Sequence, residues 1–129
     1  MADVNRGNRP LSPFMIGQYY RPQMTSISSI MVRITGIATL GAAVLVVAWL
    51  LAAAGSEAAF AVVDGLLRGI VGSILMAGAT WALWYHMLGR LRHVIWDLGY
   101  LVEVDISEKM GLAMFIGATA LTILTLIAV

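Results

Sequence analysis

Three long runs of apolar residues dominate the pattern of this chain. They contain no Asp, Glu, Lys or Arg, and they cover residues 34–54, 69–88 and 110–129. Each run matches the roughly 20 residues that a helix needs to cross the hydrocarbon core of a bilayer. The pattern therefore predicts an all-α membrane protein with three transmembrane helices.

Polar residues near the ends of these runs set the expected helix boundaries. A serine or threonine suits the N-cap, and we expect Thr25 or Ser26 to cap the first helix and Ser107 the third. The second helix should continue beyond its apolar run, because Trp96 and Tyr100 suit a membrane–water interface. The first connection has the composition of a short interfacial helix. The expected helices are about 26–54, 66–98 and 107–129, and they form one domain, 26–129.

Residues 1–25 form a separate segment without a long apolar run. This segment contains all three prolines, and proline breaks helices and stiffens extended backbone. We interpret it as an irregular cytoplasmic arm that docks on a partner, with a disordered tail as the alternative. It lacks the basic patch, apolar core and small-residue cleavage site of a secretory signal.

The basic residues are distributed unevenly around the three runs. Four arginines precede the first run and three basic residues bracket the second connection, whereas the first connection holds one and none follows the third run. The positive-inside rule then predicts a cytoplasmic N-terminus and an outside C-terminus. The acidic Asp3 is unlike a mitochondrial transit peptide, so a bacterial inner membrane is favoured over a mitochondrial one.

Composition narrows the chemistry that this chain can perform. Hydrophobic residues make up 60% of it and the mean hydropathy is +0.89, compared with about half apolar residues in soluble domains. It has no cysteine, so any iron–sulfur cluster must belong to another subunit. No motif for nucleophilic catalysis, phosphate binding or nucleic-acid binding is present, and no catalytic residues are assigned to the isolated chain.

Ionisable residues cluster at the end of the second apolar run. His86, Arg90, His93 and Asp97 are spaced by four, three and four residues, so a helix places them on one face. Ionisable residues that border a spanning segment are functional-site candidates by default. The alternatives are an interhelical hydrogen bond for His86 and an interfacial anchor for His93.

A neutral imidazole is a good haem-iron ligand, and these are the only two histidines in the chain. They are separated by about 10 Å along a straight helix, which is too far for both to bind one iron from opposite sides. The chain can thus supply one imidazole, and a partner must supply a second. Met76 or Met110 is the alternative second ligand within the chain.

A second polar cluster lies at the beginning of the first helix. Ser29 and Arg33 are four residues apart and share a face. The predicted topology brings them to the same membrane surface as His86. An arginine can pair with a haem propionate or polarise a quinone carbonyl, and a serine can donate to that carbonyl. The alternatives are a snorkelling anchor for Arg33 and an N-terminal cap for Ser29.

Three segments together resemble the cytochrome b subunit, the larger membrane anchor, of succinate dehydrogenase (complex II). They are Asn8-Arg9-Pro10-Leu11-Ser12-Pro13, Ser29-Ile30-Met31-Val32-Arg33-Ile34-Thr35-Gly36, and the stretch from Tyr85-His86 through Arg92-His93 to Asp97-Leu98-Gly99-Tyr100. The resemblance implies a three-helix subunit packed with a second small anchor. It also implies that the pair holds an iron–sulfur subunit and a flavoprotein subunit on the cytoplasmic or matrix face.

The resemblance implies roles for individual residues. His86 corresponds to one axial ligand of haem b, and Ser29, Arg33 and Asp97 correspond to residues at or near the ubiquinone site. Residues near the haem propionates, or supporting the ligand, are Arg33, Arg90 and His93.

Two positions depart from the family pattern. Many members have histidine where this chain has Val32 and Phe14. A propionate contact through a side chain at position 32 is therefore excluded, which leaves more of that work to Arg33 or to a partner.

The function expected from this resemblance is that of a membrane anchor in a succinate:ubiquinone oxidoreductase. Enzymatic activity belongs to the whole complex, and membrane lipid surrounds the chain. The alternatives are the anchor of a fumarate reductase or another quinone-linked dehydrogenase, and a haem-free structural membrane protein.

Overall fold

The computed structural model describes Phe14 and residues 20–129, and these residues form four helices. The helices are α1 (Met24–Gly55), α2 (Glu57–Arg68), α3 (Ile70–Asp97) and α4 (Val104–Ala128). The predicted all-α class is confirmed. The predicted arm, 1–25, lies mostly outside the described residues.

The helices differ in their capacity to cross a membrane. By length and apolar composition, α1 and α4 each qualify alone, whereas α2 and α3 qualify only together and are bent by 71° at the break between them. The described part of the chain thus has two clear candidate spans, and a third if the bent pair of α2 and α3 counts as one span. The predicted third span and the orientation of the termini stay predictions.

The first connection contains the expected short helix, α2. Ser56 caps it, because its side chain accepts a hydrogen bond from the backbone N–H of Ala59 at 3.1 Å. Asp64 joins α2 to α1 by accepting from Trp49 Nε1 at 3.2 Å, and it accepts from Arg68 Nε within α2 at 2.7 Å. Since α2 runs to Arg68, α3 begins at Ile70 and not near residue 66.

The predicted caps of the first and last helices are wrong. Gln23 is the N-cap of α1 and its side chain makes no capping hydrogen bond, whereas the hydroxyl of Ser26 lies inside the helix and donates to Gln23 O at 2.9 Å. Likewise Glu103 is the N-cap of α4, and Ser107 is buried within its first turns. In both cases the helix begins earlier than its apolar run, so these hydroxyls bond within the helix or pack inside.

The helix α3 packs between α1 and α4. Its Tyr85 is fully buried and forms a small core with Val32 of α1 and with Met114 and Ala118 of α4. Most large apolar side chains face outward, as in Ile37, which is 74% exposed. Such an exterior suits lipid or partner helices rather than water.

A tight turn brings the end of α3 back towards α4. Gly99 has a φ of +80°, and the backbone N–H of Tyr100 donates to Ile95 O at 3.1 Å while that of Gly99 donates to Trp96 O at 2.8 Å. These are the two hydrogen bonds of a Schellman motif, which requires a left-handed residue at this position. The indole N–H of Trp96 donates to Leu101 O at 3.1 Å, which fastens the turn.

Candidate functional site

The first turns of α1 lie beside the last turns of α3, where both polar clusters of the sequence are found. Two hydrogen bonds join them: Nδ1 of His86 lies 3.0 Å from Val32 O, and Nη1 of Arg92 donates to Ser28 Oγ at 2.9 Å. The two clusters therefore meet at one end of the helix bundle. His86 is one of the residues that the sequence singled out, whereas Val32, Ser28 and Arg92 are neighbours of such residues.

The imidazole of His86 is held in one orientation. Arginine is only a donor, so Nε2, which lies 3.2 Å from Arg90 Nε, is the acceptor nitrogen of the ring. Nδ1 then carries the hydrogen and donates to Val32 O. Iron-binding histidines typically donate their second ring N–H to a carbonyl or carboxylate in this way. This arrangement fits an iron ligand that binds through Nε2.

A glycine makes room for that imidazole. A β-carbon at Gly36 would lie 2.9 Å from Cε1 of His86, which is closer than side chains approach each other. The glycine of the segment Arg33-Ile34-Thr35-Gly36 thus permits His86 to lie directly against the backbone of α1.

Arg90 is exposed and lies one helical turn beyond His86, and its Nε donates to Nε2 of that imidazole at 3.2 Å. His93 is partly buried, and its Nδ1 lies 2.8 Å from Gly89 O. Asp97, at the end of α3, is exposed. Within the described residues, no hydrogen bond or ion pair joins His93 or Asp97 to His86. Of the four residues predicted to share a face, His86 and Arg90 are joined by a hydrogen bond, whereas His93 and Asp97 lie apart from them.

Ser29 and Arg33 lie on the side of α1 that faces His86. Ser29 precedes Gly36 by seven residues, which returns it to nearly the same side of the helix, and Arg33 lies one turn before it. Ser29 is partly buried and Arg33 is exposed. Neither side chain has a hydrogen-bond partner in the part of the chain that the structure describes, so both are available to a ligand or another subunit.

The sequence analysis gave no role to Ser28 or Arg92. In the structure both side chains are buried, at 0% and 2% exposure. The Ser28 hydroxyl donates to Thr25 O at 3.0 Å and accepts from Arg92. A signal was present in helical spacing, because Arg92 follows the core residue Tyr85 by seven residues and therefore lies on the buried face of α3.

Val32 occupies a position where histidine is frequent in the family that the chain resembles. Its side chain is 4% exposed and packs against Gly89, where a β-carbon would overlap it. The valine thus joins α1 to α3 by packing, and its carbonyl orients His86. Phe14, the other departure, is 85% exposed.

No group of three or more His, Cys, Asp or Glu residues able to hold a metal ion occurs among residues 20–129 and Phe14. A single oriented imidazole fits the iron of a haem, because the macrocycle already supplies four nitrogen ligands.

Comparison with known proteins adds a family context. Residues 5–125 match the family described as succinate dehydrogenase/fumarate reductase transmembrane subunit. The chain is 49% identical over 127 aligned positions to the succinate dehydrogenase cytochrome b556 subunit of Paracoccus denitrificans, covering 98% of this chain and 96% of that protein. It is 31% identical over 131 positions to the succinate dehydrogenase cytochrome b560 subunit of Marchantia polymorpha, with coverages of 93% and 90%. The corresponding b556 subunit of Rickettsia conorii is 28% identical over 116 positions, with coverages of 90% and 89%.

Proposed function

The chain belongs to the succinate dehydrogenase/fumarate reductase transmembrane subunit family, and we propose that it is a membrane anchor of a succinate:ubiquinone oxidoreductase. In this function it contributes one axial ligand to haem b and part of the ubiquinone site. It also docks the iron–sulfur and flavoprotein subunits. The names of the relatives, all cytochrome b subunits of succinate dehydrogenase, support this assignment.

The observation that carries the haem proposal is the orientation of His86. Its Nδ1–H donates to Val32 O, and its Nε2, which accepts from Arg90 Nε in this structure, carries the lone pair that iron requires. Bound haem supplies one-electron redox chemistry. The chain's own part is to hold the ring through Val32, to leave space for it at Gly36, and to place the Arg90 cation beside the ligand.

A second small anchor subunit supplies the other axial ligand. His93 follows His86 by seven residues, or about 10 Å along the helix axis, so the two cannot face each other across one iron. The Nδ1 of His93 also lies against Gly89 O within its own helix. We assign His93 to the surroundings of the propionates.

The ubiquinone site uses Ser29 and Arg33, with Asp97 near it. Ser29 and Arg33 lie on the side of α1 that carries Gly36, next to the proposed haem ligand. A hydroxyl and a guanidinium without partners among the described residues can both donate to a quinone carbonyl. Quinone reduction also consumes protons, which suits a site at the end of the bundle.

The proposed setting is the inner membrane of a bacterium, with α1, the bent pair α2 and α3, and α4 as three spans. The uneven distribution of basic residues favours a cytoplasmic N-terminus. The large outward-facing apolar surface of the helices is available to lipid and to the second anchor.

The test compares His86→Ala with His93→Ala in the complete complex. We expect His86→Ala to abolish the low-spin haem b signal in a reduced-minus-oxidised spectrum, while His93→Ala retains it. An unchanged spectrum in His86→Ala would move the ligand elsewhere. If the wild-type complex contained neither b-type haem nor a copurifying flavoprotein, the chain would be a haem-free structural protein.

The quinone site is tested separately. Ser29→Ala and Arg33→Gln should lower ubiquinone reduction while succinate oxidation with a soluble acceptor continues, because the flavoprotein performs that half-reaction. Loss of both activities would point to failed assembly and would remove the support for a quinone role.

A further inference from the structure

Arg92 is a buried cation without an anionic partner in the described structure. It is 2% exposed, and no carboxylate of residues 20–129 forms an ion pair with it. Burying an unpaired charge is strongly unfavourable, so proteins usually pair such a group or give it a polar ligand. An acceptor for this guanidinium is therefore expected.

The contacts of Arg92 leave part of its guanidinium unused. Nη1 donates to Ser28 Oγ at 2.9 Å, and the guanidinium carbon lies 4.5 Å from the centroid of the Trp96 ring. Nε is buried with no hydrogen-bond partner. A neutral hydroxyl and an aromatic face orient the cation but do not neutralise it.

Arg92 also forms part of the wall of an apolar groove between α3 and α4. The groove has a volume of about 200 Å³, and Arg92 is the one charged residue among those that line it. The other lining residues are Leu88, Leu91, Ile95, Met110, Ala113, Met114 and Gly117. Its inner end lies where Gly117 approaches Leu88, and its outer end lies between Ile95 and Met110, on the side of the turn that joins the two helices.

We propose that this groove binds an anionic glycerophospholipid, with one acyl chain against its apolar wall and the phosphate accepting hydrogen bonds from Arg92. Charge complementarity argues for this occupant, because the phosphate supplies the anion that the buried guanidinium lacks. Lys109 lies one turn before Ala113 on the same side of α4, so a second cation flanks the end of the groove nearest the turn.

The position of the groove agrees with this occupant. It lies at the end of the bundle where α3 ends and α4 begins, which is the level at which a lipid headgroup meets a spanning helix. An acyl chain could then extend from the turn towards Gly117. The proposal does not depend on haem or quinone binding.

The experiment uses the complete, delipidated complex titrated with dioleoyl phosphatidylglycerol or dioleoyl phosphatidylcholine and followed by native mass spectrometry. Arg92→Gln removes the charge, and Ala113→Phe fills the groove while keeping the arginine. Arg21→Gln, at an exposed position outside the helices, is the matched control for the loss of charge. The haem spectrum is recorded for each variant.

We expect Arg92→Gln and Ala113→Phe each to weaken phosphatidylglycerol binding about tenfold or more, because a charge-assisted contact or the acyl-chain site is lost. Arg21→Gln should bind as the wild type does. Undiminished phosphatidylglycerol binding in Arg92→Gln would overturn the proposal, as would loss of another subunit from that variant with the lipid retained, since a partner's carboxylate would then be the acceptor. Unchanged binding in Ala113→Phe would overturn it too, because the phosphate would then bind without the groove.

Discussion

Gly36→Ala tests the geometry that places His86 against α1. The new β-carbon would lie 2.9 Å from Cε1 of the imidazole, whereas ordinary van der Waals contact begins at 3.4 Å. The ring must therefore move by about 0.5 Å or more, away from a helix whose Val32 O lies only 3.0 Å from its Nδ1. The substitution should weaken or break that hydrogen bond.

The magnitude follows from this hydrogen bond. Its loss costs about 0.5–1.5 kcal/mol, which corresponds to roughly 2–10-fold weaker retention of haem. Alanine favours a helix over glycine by about 1 kcal/mol, so the stability of the complex should not fall in parallel. Haem occupancy should decrease while the thermal unfolding midpoint stays equal or rises.

The assay measures haem per flavin in the purified complex, together with the position of the low-spin absorption bands. Gly55→Ala is the matched control, since it lies on the same helix and a β-carbon there meets nothing within 4 Å. Full occupancy with unshifted bands in Gly36→Ala would refute the reasoning. A parallel loss in Gly55→Ala would show that the effect is not local to His86.

Three further substitutions address the packing around the site. Ser28→Ala removes the acceptor of a buried Arg92 hydrogen bond, so thermal unfolding of the complex should show a loss of about 1–3 kcal/mol. Gly89→Leu places a large side chain where even a β-carbon would overlap Val32, and calorimetry should detect a loss of about 1–3 kcal/mol together with reduced haem content. Gly99→Ala puts a β-carbon on a residue with φ of +80°, so a loss of about 1–2 kcal/mol is expected in the same measurement.

Each of these has a result that would contradict it. Ser26→Ala, two residues before Ser28, removes an exposed hydrogen bond to Gln23 O and should change stability by less than about 0.5 kcal/mol. An equal effect there would remove the special role of Ser28. Wild-type stability in Gly89→Leu would mean that α1 and α3 can separate without cost. An unchanged unfolding midpoint in Gly99→Ala would mean that the turn relaxes out of its left-handed conformation.

The apolar pattern predicted the helical class well, because a run of about 20 apolar residues has few structural solutions in a bilayer. It predicted the helix boundaries less well. The second apolar run begins at Gly69, directly after Arg68, and composition alone does not show that the chain bends there by 71°. The caps at Ser26 and Ser107 were wrong because a hydroxyl in the first turns of a helix can also bond to a carbonyl or be buried.

The candidate site, too, was predictable from the sequence only in part. Spacing alone put His86 and Arg90 on one face of a helix, and the hydrogen bond between them agrees with that inference. Spacing alone could not identify Val32 as the residue that orients His86, because the group involved is a backbone carbonyl and every residue has one. The roles of Ser29, Arg33 and Asp97 stay predictions.

By itself the sequence determined that the chain is a helical membrane protein, that its histidines lie in one segment, and that it can give a haem only one imidazole. These follow from composition and from the fixed rise and period of a helix. The tertiary structure decided which side chains meet: Gly36 with His86, and Ser28 with Arg92. Those contacts depend on how α1 and α3 rotate and approach each other, and that is set by close packing over the whole interface rather than by local sequence.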